Sequence, residues 1–400
     1  MTRYGYLNYM AYKKANIPQK FFSPWSVFKN KKVNDKDFLY THVSLFSGCG
    51  GIDLGFKQAG FKTIFANDIN KDACETYRKN LGEIVLGDIT KISIPDFKKV
   101  DVLSAGFPCQ PFSNAGSRKG TSDDRGSLYL SALSAVEKLR PSEVMFENVR
   151  GLLSSKHLGK LVIEIICENL KNLGYNVTFA LVNAAEHNVA QKRLRLIIIG
   201  VEKKRKVNFL FPKSKKRDDL ILENIVFNIP ETIPNQLDLM QLNPQAITIG
   251  NMIPEGGSWK DIPYEKLPSR LKKISDNIER YHWPKFYRKY DRKEIAGTIT
   301  AAFKPENAGV WHPSESRIFS VREIARIQSF PDWFVFYGDS VKSRYQQIGN
   351  AVPPRLAYEI ATQISLLLKG VEIISDNQLT FSDFKKLNRP LRPSDSNVIF

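Results

Sequence analysis

The segment Ser104-Ala-Gly-Phe-Pro-Cys-Gln-Pro-Phe-Ser113 sets one thiol, Cys109, between two prolines. Pro108 and Pro111 each fix a backbone angle beside it, so the loop is stiff. The apolar run Val100 to Ala105 predicts a buried strand that empties into this loop. The thiol then stands at the strand's carboxyl end, where open α/β sheets collect their ligands. Such a thiol suits nucleophilic addition. A free cysteine is more commonly a small buried hydrophobe, and the loop alone leaves both readings open. Two further groups of polar residues stand in comparable places. Glu147 follows the short apolar run Val144-Met-Phe146, and Gln191, Arg193 and Arg195 alternate into Leu196-Ile-Ile-Ile-Gly200. Alternate residues share one face of a strand, and three long donors entering a buried strand need acceptors.

These residues need a frame, and from Thr41 the pattern supplies one by alternating strands and helices. His42-Val-Ser-Leu-Phe46 predicts a strand that turns at Ser47-Gly-Cys-Gly-Gly51. Glycines there let backbone N–H groups approach a ligand closely, and the following helix adds its positive N-terminus. The turn is not the dinucleotide G-x-G-x-x-G fingerprint. Asp68 ends the next predicted strand, about 20 residues after Gly48, the distance at which an acid in such folds reaches ribose hydroxyls. Asp88 follows in Leu86-Gly-Asp-Ile89. Residues 117–126 are rich in Gly, Ser and charge and predict a lid over Cys109. Apolar stripes at Leu128–Leu139 and Leu158–Leu173 predict helices, and Tyr175–Val182 a strand.

The block Gly106-Phe-Pro-Cys-Gln-Pro-Phe-Ser113 resembles the catalytic motif of the cytosine carbon-5 DNA methyltransferases. Further matches follow in the family's order: Glu147-Asn-Val149, Gln191-Lys-Arg-Leu-Arg195, Gly297-Thr-Ile-Thr300, Arg317 to Pro331 and Gln347-Ile-Gly-Asn-Ala-Val-Pro-Pro354. The resemblance covers roughly 41–201 and 296–368. It implies a Rossmann-like, S-adenosylmethionine-dependent α/β sheet carrying a smaller, irregular target-recognition domain. It also implies base flipping, attack on carbon 6 by Cys109, a ring-nitrogen acid in Glu147 and a ring-carbonyl donor in Arg195, with Arg193 and Gln191 in support. The cofactor would be held by Phe46, Gly48, Cys49, Gly50, Gly51, Asp68, Ile69, Asp88, Ile89, Pro108 and Leu128, and by Asn350 and Val352 returning from the far end of the chain. At the ribose turn the family commonly has Glu followed by an aromatic, where this chain has Asp68-Ile69.

Composition agrees with such a partner. The 400 residues carry a net charge of +18, spread along the chain with basic clusters at Lys29–Lys36, Lys203–Lys206 and Lys213–Arg217, which suits a polyanionic partner, and the resemblance implies that this is double-stranded DNA. Four cysteines at no metal-ligand spacing predict neither disulfides nor zinc, hence no metal site and a reducing, cytoplasmic setting at the nucleoid. No apolar run reaches the roughly 18 residues of a membrane span. The expected organisation is a basic and aromatic extension (1–40), a catalytic domain (41–202), a small domain (203–341, variable in 203–295), a return to the catalytic domain (342–370) and a polar, weakly ordered tail (371–400). A transfer-RNA-methylating relative is disfavoured, since no Cys-Phe-Thr stands in the variable region. A small-molecule methyltransferase would explain the glycine turn but not the Pro-Cys loop. The expected enzyme is a compact prokaryotic modification methyltransferase, a monomer on DNA with a cognate restriction endonuclease as functional partner.

Overall fold

The computed structural model describes residues 38–108, 126–214, 217–280, 287–302, 311–371, 378–387, 389–395 and 397–400. Cys109, the expected lid, the extension up to residue 37 and the aromatics Tyr281, Trp283 and Phe286 lie outside them. The described residues form two units, one of 38–187, 194–214 and 354–400, the other of 188–193 and 217–353.

The first unit is built on a nine-stranded sheet. In chain order its strands are β1 (Tyr40–Leu45), β2 (Phe61–Asp68), β3 (Val85–Leu86), β4 (Val102–Ala105), β5 (Glu143–Val149), β8 (Tyr175–Asn183), β9 (Leu194–Glu202), β10 (Gln378–Thr380) and β11 (Asn397–Ile399), while β6 (Lys156–His157) and β7 (Lys160–Leu161) form a separate hairpin. The order across the sheet is β10-β11-β8-β9-β5-β4-β1-β2-β3. Strands β3, β2, β1, β4 and β5 are parallel, and β9 runs antiparallel between β5 and β8. Strand β1 has β2 on one side and β4 on the other, so the order reverses there. Such a switch point opens a crevice beyond the carboxyl ends of the strands.

Helices cover the sheet, so its central strands are buried on both faces, mostly by apolar side chains, with His42, Ser44 and Ser104 the buried polar residues of β1 and β4. Val43, Leu103, Phe146 and Leu196 are fully buried among residues of α3 (Gly126–Leu139) and α4 (Val162–Asn172). Truncating Phe146 to alanine would cost about 3–5 kcal/mol. Helix α1 (Gly51–Gln58) packs against α10 (Pro354–Leu368), and a Cβ on Gly55 would stand 2.5 Å from the Tyr358 amide nitrogen and 2.6 Å from the Pro354 carbonyl oxygen. Only glycine permits that approach. Helix α2 is Lys71–Asn80, capped by the Asn70 side chain, which accepts from the Ala73 amide.

The second unit holds α5 (Leu222–Val226), α6 (Pro244–Met252), α7 (Ser269–Ser275), α8 (Val321–Ile327) and α9 (Val341–Asn350). Its described residues form isolated bridges in place of a sheet, at Gln191 with Ala296, Lys289 with Trp311 and Trp311 with Ile318. Buried arginines tie it together. Arg322 donates to the carbonyls of Pro234, Pro331 and Phe334, and Arg326 pairs with Asp332 at 2.6 Å and donates to the Ile225 carbonyl. Burial holds the Arg322 guanidinium down to about 10. Trp259 and Trp311 are core.

Four expectations are corrected. The stripe from Leu158 is not one helix: Leu158 and Gly159, with φ of 49° and 81°, form the tight turn between β6 and β7, and the helix begins at Val162. The described residues after 371 are not a loose tail. Strand β11 pairs with β8, and Phe381 and Phe384 of α11 (Phe381–Lys386) meet Phe179 edge-on at 6.3 and 5.5 Å. The return to the catalytic unit begins at 354 rather than 342, because α9 belongs with the second unit. The row Gln191, Arg193, Arg195 is split between the units at residue 194.

Candidate active site

Strand β4 runs into Gly106, Phe107 and Pro108, the described foot of the Cys109 loop. Phe107 is buried against Tyr129 and Phe146, each 5.4 Å away between ring centroids, and its carbonyl accepts from Asn148 Nδ2 at 3.0 Å. Asn148 thus ties the end of β5 to the loop that leaves β4. Its position in Glu147-Asn-Val149 was legible in the sequence, but its use was not, because the bond spans two loops.

Glu147 and Arg195 face each other across the β5–β9 pair. Arg195 Nε lies 2.8 Å from Glu147 Oε1, and both side chains are only 12% exposed. A Cβ on Gly106 would stand 3.4 Å from Glu147 Oε2, so that oxygen borders the foot of the thiol loop. Arg195 Nη1 donates to the Leu194 carbonyl at 2.8 Å. Among the described residues Nη2 has no partner and remains available as a donor.

Gln191 and Arg193 do different work. Both are buried in the second unit. Arg193 donates to the carbonyls of Ile299, Gly349 and Ala351, at 2.6, 2.8 and 3.1 Å. Gln191 donates to Gln328 Oε1 at 2.5 Å and accepts from the Ile299 amide at 3.1 Å. The acceptors that Gln191 and Arg193 find are therefore amide and backbone groups, while Arg195 finds the Glu147 carboxylate. Asn350, exposed, and Val352, buried, lie in the same unit.

The turn after β1 is a cradle. Phe46, Gly48 and Gly50 all have positive φ, of 56°, 55° and 93°. A Cβ on Gly48 would meet nothing within 4 Å, so the space beside Gly48 is open, whereas at Gly50 it would collide with Leu81 Cδ1. Asp68 closes the turn from β2, its Oδ2 accepting from the Gly48 amide at 2.7 Å and its Oδ1 from the Asn70 amide at 2.8 Å. Burial raises its pKa, with those amides opposing. The sequence pointed to Asp68 as a ligand acid; the structure shows it first of all shaping the glycine turn. Asp88 stands in the open, its Oδ1 taken by the Thr90 hydroxyl and amide at 2.8 and 3.0 Å, which hold it below the usual carboxylate range. Ile69 and Leu86, 70% and 45% exposed, lie at the ends of β2 and β3. Ile89 and Cys49 are buried, and Leu128 is half-buried on α3. Open glycine backbone, a solvated carboxylate and exposed apolar side chains along one sheet edge fit a ligand with a charged end, a sugar and a flat base.

Three cysteines are described, Cys49, Cys74 and Cys167, all buried. Burial pushes Cys74 up to about 11 and raises Cys49 and Cys167 further, so none is a thiolate near neutrality. No cluster of metal-ligating side chains occurs among the described residues, and none of their helices is long and apolar enough to cross a membrane.

This edge belongs to an open α/β sheet with a nucleotide-type cradle at its switch point. Residues 40–366 match the C-5 cytosine-specific DNA methylase model, and the chain belongs to that family; it is a DNA cytosine methyltransferase. It is 37% identical over 348 residues to the Type II methyltransferase M.NgoFVII of Neisseria gonorrhoeae, covering 84% of this chain and 87% of that one. With M.Eco47II of Escherichia coli it shares 33% over 388 residues, 91% and 88% of the two chains. The fold is similar to that of the Dnmt2 methyltransferase of S. pombe, with a TM-score of 0.54 at 22% identity over 84% of this chain and all of that one. Membership implies S-adenosylmethionine as methyl donor and DNA as substrate.

Proposed function

We propose that the protein is a Type II modification enzyme that flips a cytosine out of duplex DNA and methylates carbon 5. The observation that carries the reading is the Glu147–Arg195 pair, set against Gly106 at the foot of the Cys109 loop. A base can be handled there only outside its stack, at a cost of a few kcal/mol of unstacking that phosphate contacts offset.

Each residue then has one task. The Cys109 thiolate adds to carbon 6, and the electron pair of the 5,6 double bond becomes available at carbon 5. Glu147 hydrogen-bonds the ring nitrogen, and Arg195 Nη2 donates to the ring carbonyl as negative charge develops. S-adenosylmethionine supplies an electrophilic methyl group when bound. Loss of the carbon-5 proton restores the double bond and expels the thiolate. The turn at Phe46, Gly48 and Gly50 would hold the methionine end, Asp68 the ribose, and Asp88 with Ile69 and Leu86 the adenine. Arg193 and Gln191 act as positioning residues. The enzyme works as a monomer in the cytoplasm, at the nucleoid, and a restriction endonuclease of the same target is its functional counterpart.

Bisulfite sequencing of DNA from cells expressing the protein should show methylation at one short sequence. Duplex carrying 5-fluorocytosine at that position should trap the protein covalently, because the proton that must leave carbon 5 is absent. Trapping that survives Cys109→Ser would overturn the assignment.

A further inference from the structure

The catalytic unit also contains a cavity of about 1010 Å³, remote in sequence from the cofactor turns. One wall is the turn Arg150–Leu153 with the β6–β7 hairpin, and the other is the segment 384–391 at and after the end of α11. Five cations line it (Arg150, Lys156, Lys160, Lys385 and Arg389) against one acid, Glu164. Three of them are answered: Lys160 by Glu168 and Lys385 by Glu164, each at 2.5 Å, and Arg389 by Asp395 at 2.7 Å. Arg150 and Lys156 have no carboxylate partner among the described residues. Those three pairs are 40–46% exposed on their cationic side. Such ion pairs contribute about 0–1 kcal/mol each, so an arriving anion can exchange for the carboxylates.

The chemistry selects a class of ligand. A cation is repelled, and a neutral apolar molecule would have to bury unpaired charge. A nucleotide read through its base would need an aromatic platform, yet Phe384 is already packed on Phe381 and Phe179, 5.6 and 5.5 Å away. The cations fit a run of anions, and the DNA substrate supplies one as its chain of phosphodiesters. Arg150 directly follows β5, three residues beyond Glu147, so the row of cations starts at the edge where the base is handled. We propose that this cavity takes the sugar–phosphate backbone of the substrate duplex outside the target sequence, and that the C-terminal segment is a flank-binding element. The proposal rests on the DNA reading above.

The test uses the full-length protein and an Arg150→Gln/Lys156→Gln variant on two duplexes centred on the mapped target, one of about 12 and one of about 30 base pairs, with affinity followed against salt. Each phosphate contact contributes a slope of about 0.9 in log K against log salt. On the long duplex the variant should therefore lose about two units of slope, and on the short one none. Equal slopes for both proteins on the long duplex would overturn the proposal, as would an equal loss on both duplexes, which would place Arg150 and Lys156 at the target itself. Methylation of the short duplex by the unmodified protein reads the catalytic assignment separately. Both side chains are exposed, and an unchanged melting temperature excludes misfolding as the cause.

Discussion

Arg195 divides its donors, Nε to Glu147, Nη1 to its neighbour's carbonyl and Nη2 outward. Removing it should both strip a donor from the reacting base and leave Glu147 unpaired. We expect Arg195→Ala to lower kcat by about 10²- to 10³-fold, the loss typical of one preorganised donor, and Glu147→Gln to abolish transfer. Neither should change cofactor affinity, whereas Asp88→Ala should weaken it. Calorimetry showing the same cofactor loss in all three variants would refute this division. A second residue-scale expectation concerns Glu143, at the opposite end of β5, fully buried with neither carboxyl oxygen bonded in the described structure. Burial pushes it up to about 8, with Arg205 partly opposing. The folded state therefore holds the proton that the unfolded chain releases near pH 4.5. The stability this contributes is full below that pH and is lost as pH rises to about 8. Glu143→Gln should melt near the unmodified protein at pH 5 and above it at pH 8; parallel melting curves across that range would show that Glu143 does not titrate with folding.

At the scale of elements, the close approach of α1 and α10 gives a sharper handle than any core leucine. Gly55→Ala sets a methyl group against backbone atoms, which cannot swing aside as a side chain can, so overpacking of about 1–3 kcal/mol is expected. Thermal melting should register it, and a variant as stable as the parent would show that the helices separate at little cost. Strand β4, the glycine turn and α3 were legible because apolar runs and turn residues mark them locally. Leu158 misled because an apolar residue in phase with a helical stripe also fits a tight hairpin turn, and only Gly159 beside it hinted at the difference. Strand β11 could not be read, since three residues carry no period and their partner β8 lies more than 200 positions earlier. The Asn148 and Arg193 bonds escaped for the same reason: what each side chain binds depends on loops brought together only by folding.

At the scale of the whole molecule, target choice is expected in the second unit, which holds 217–295 of the variable stretch, while 203–214 belong to the catalytic unit. The structure narrows which part of that stretch can be exchanged. Its leading part is locked to the framework shared with 311–353: Ile225 and Pro234 accept from Arg326 and Arg322, the Asn235 side chain bonds the Phe336 backbone, Gln236 accepts from Ser320, and Asp238 pairs with Arg344 at 2.7 Å. A donor block whose backbone runs differently there would displace the carbonyls that Arg322 and Arg326 bond and would lose the side-chain bonds of Asn235, Gln236 and Asp238, at about 0.5–1.5 kcal/mol for each hydrogen bond. The trailing part is less tied, with α6 and α7 joined by short 3₁₀ turns and their exposed faces free to vary. Exchange of 241–286 with a relative of different target should therefore give a folded, active enzyme that marks the donor's sequence, read by bisulfite sequencing. Exchange of the whole of 203–295 should give a protein that melts lower or fails to fold. If the shorter chimera stays active and still marks the original sequence, then the base-reading groups lie outside that block, and the basic extension before residue 38 is the next segment to exchange.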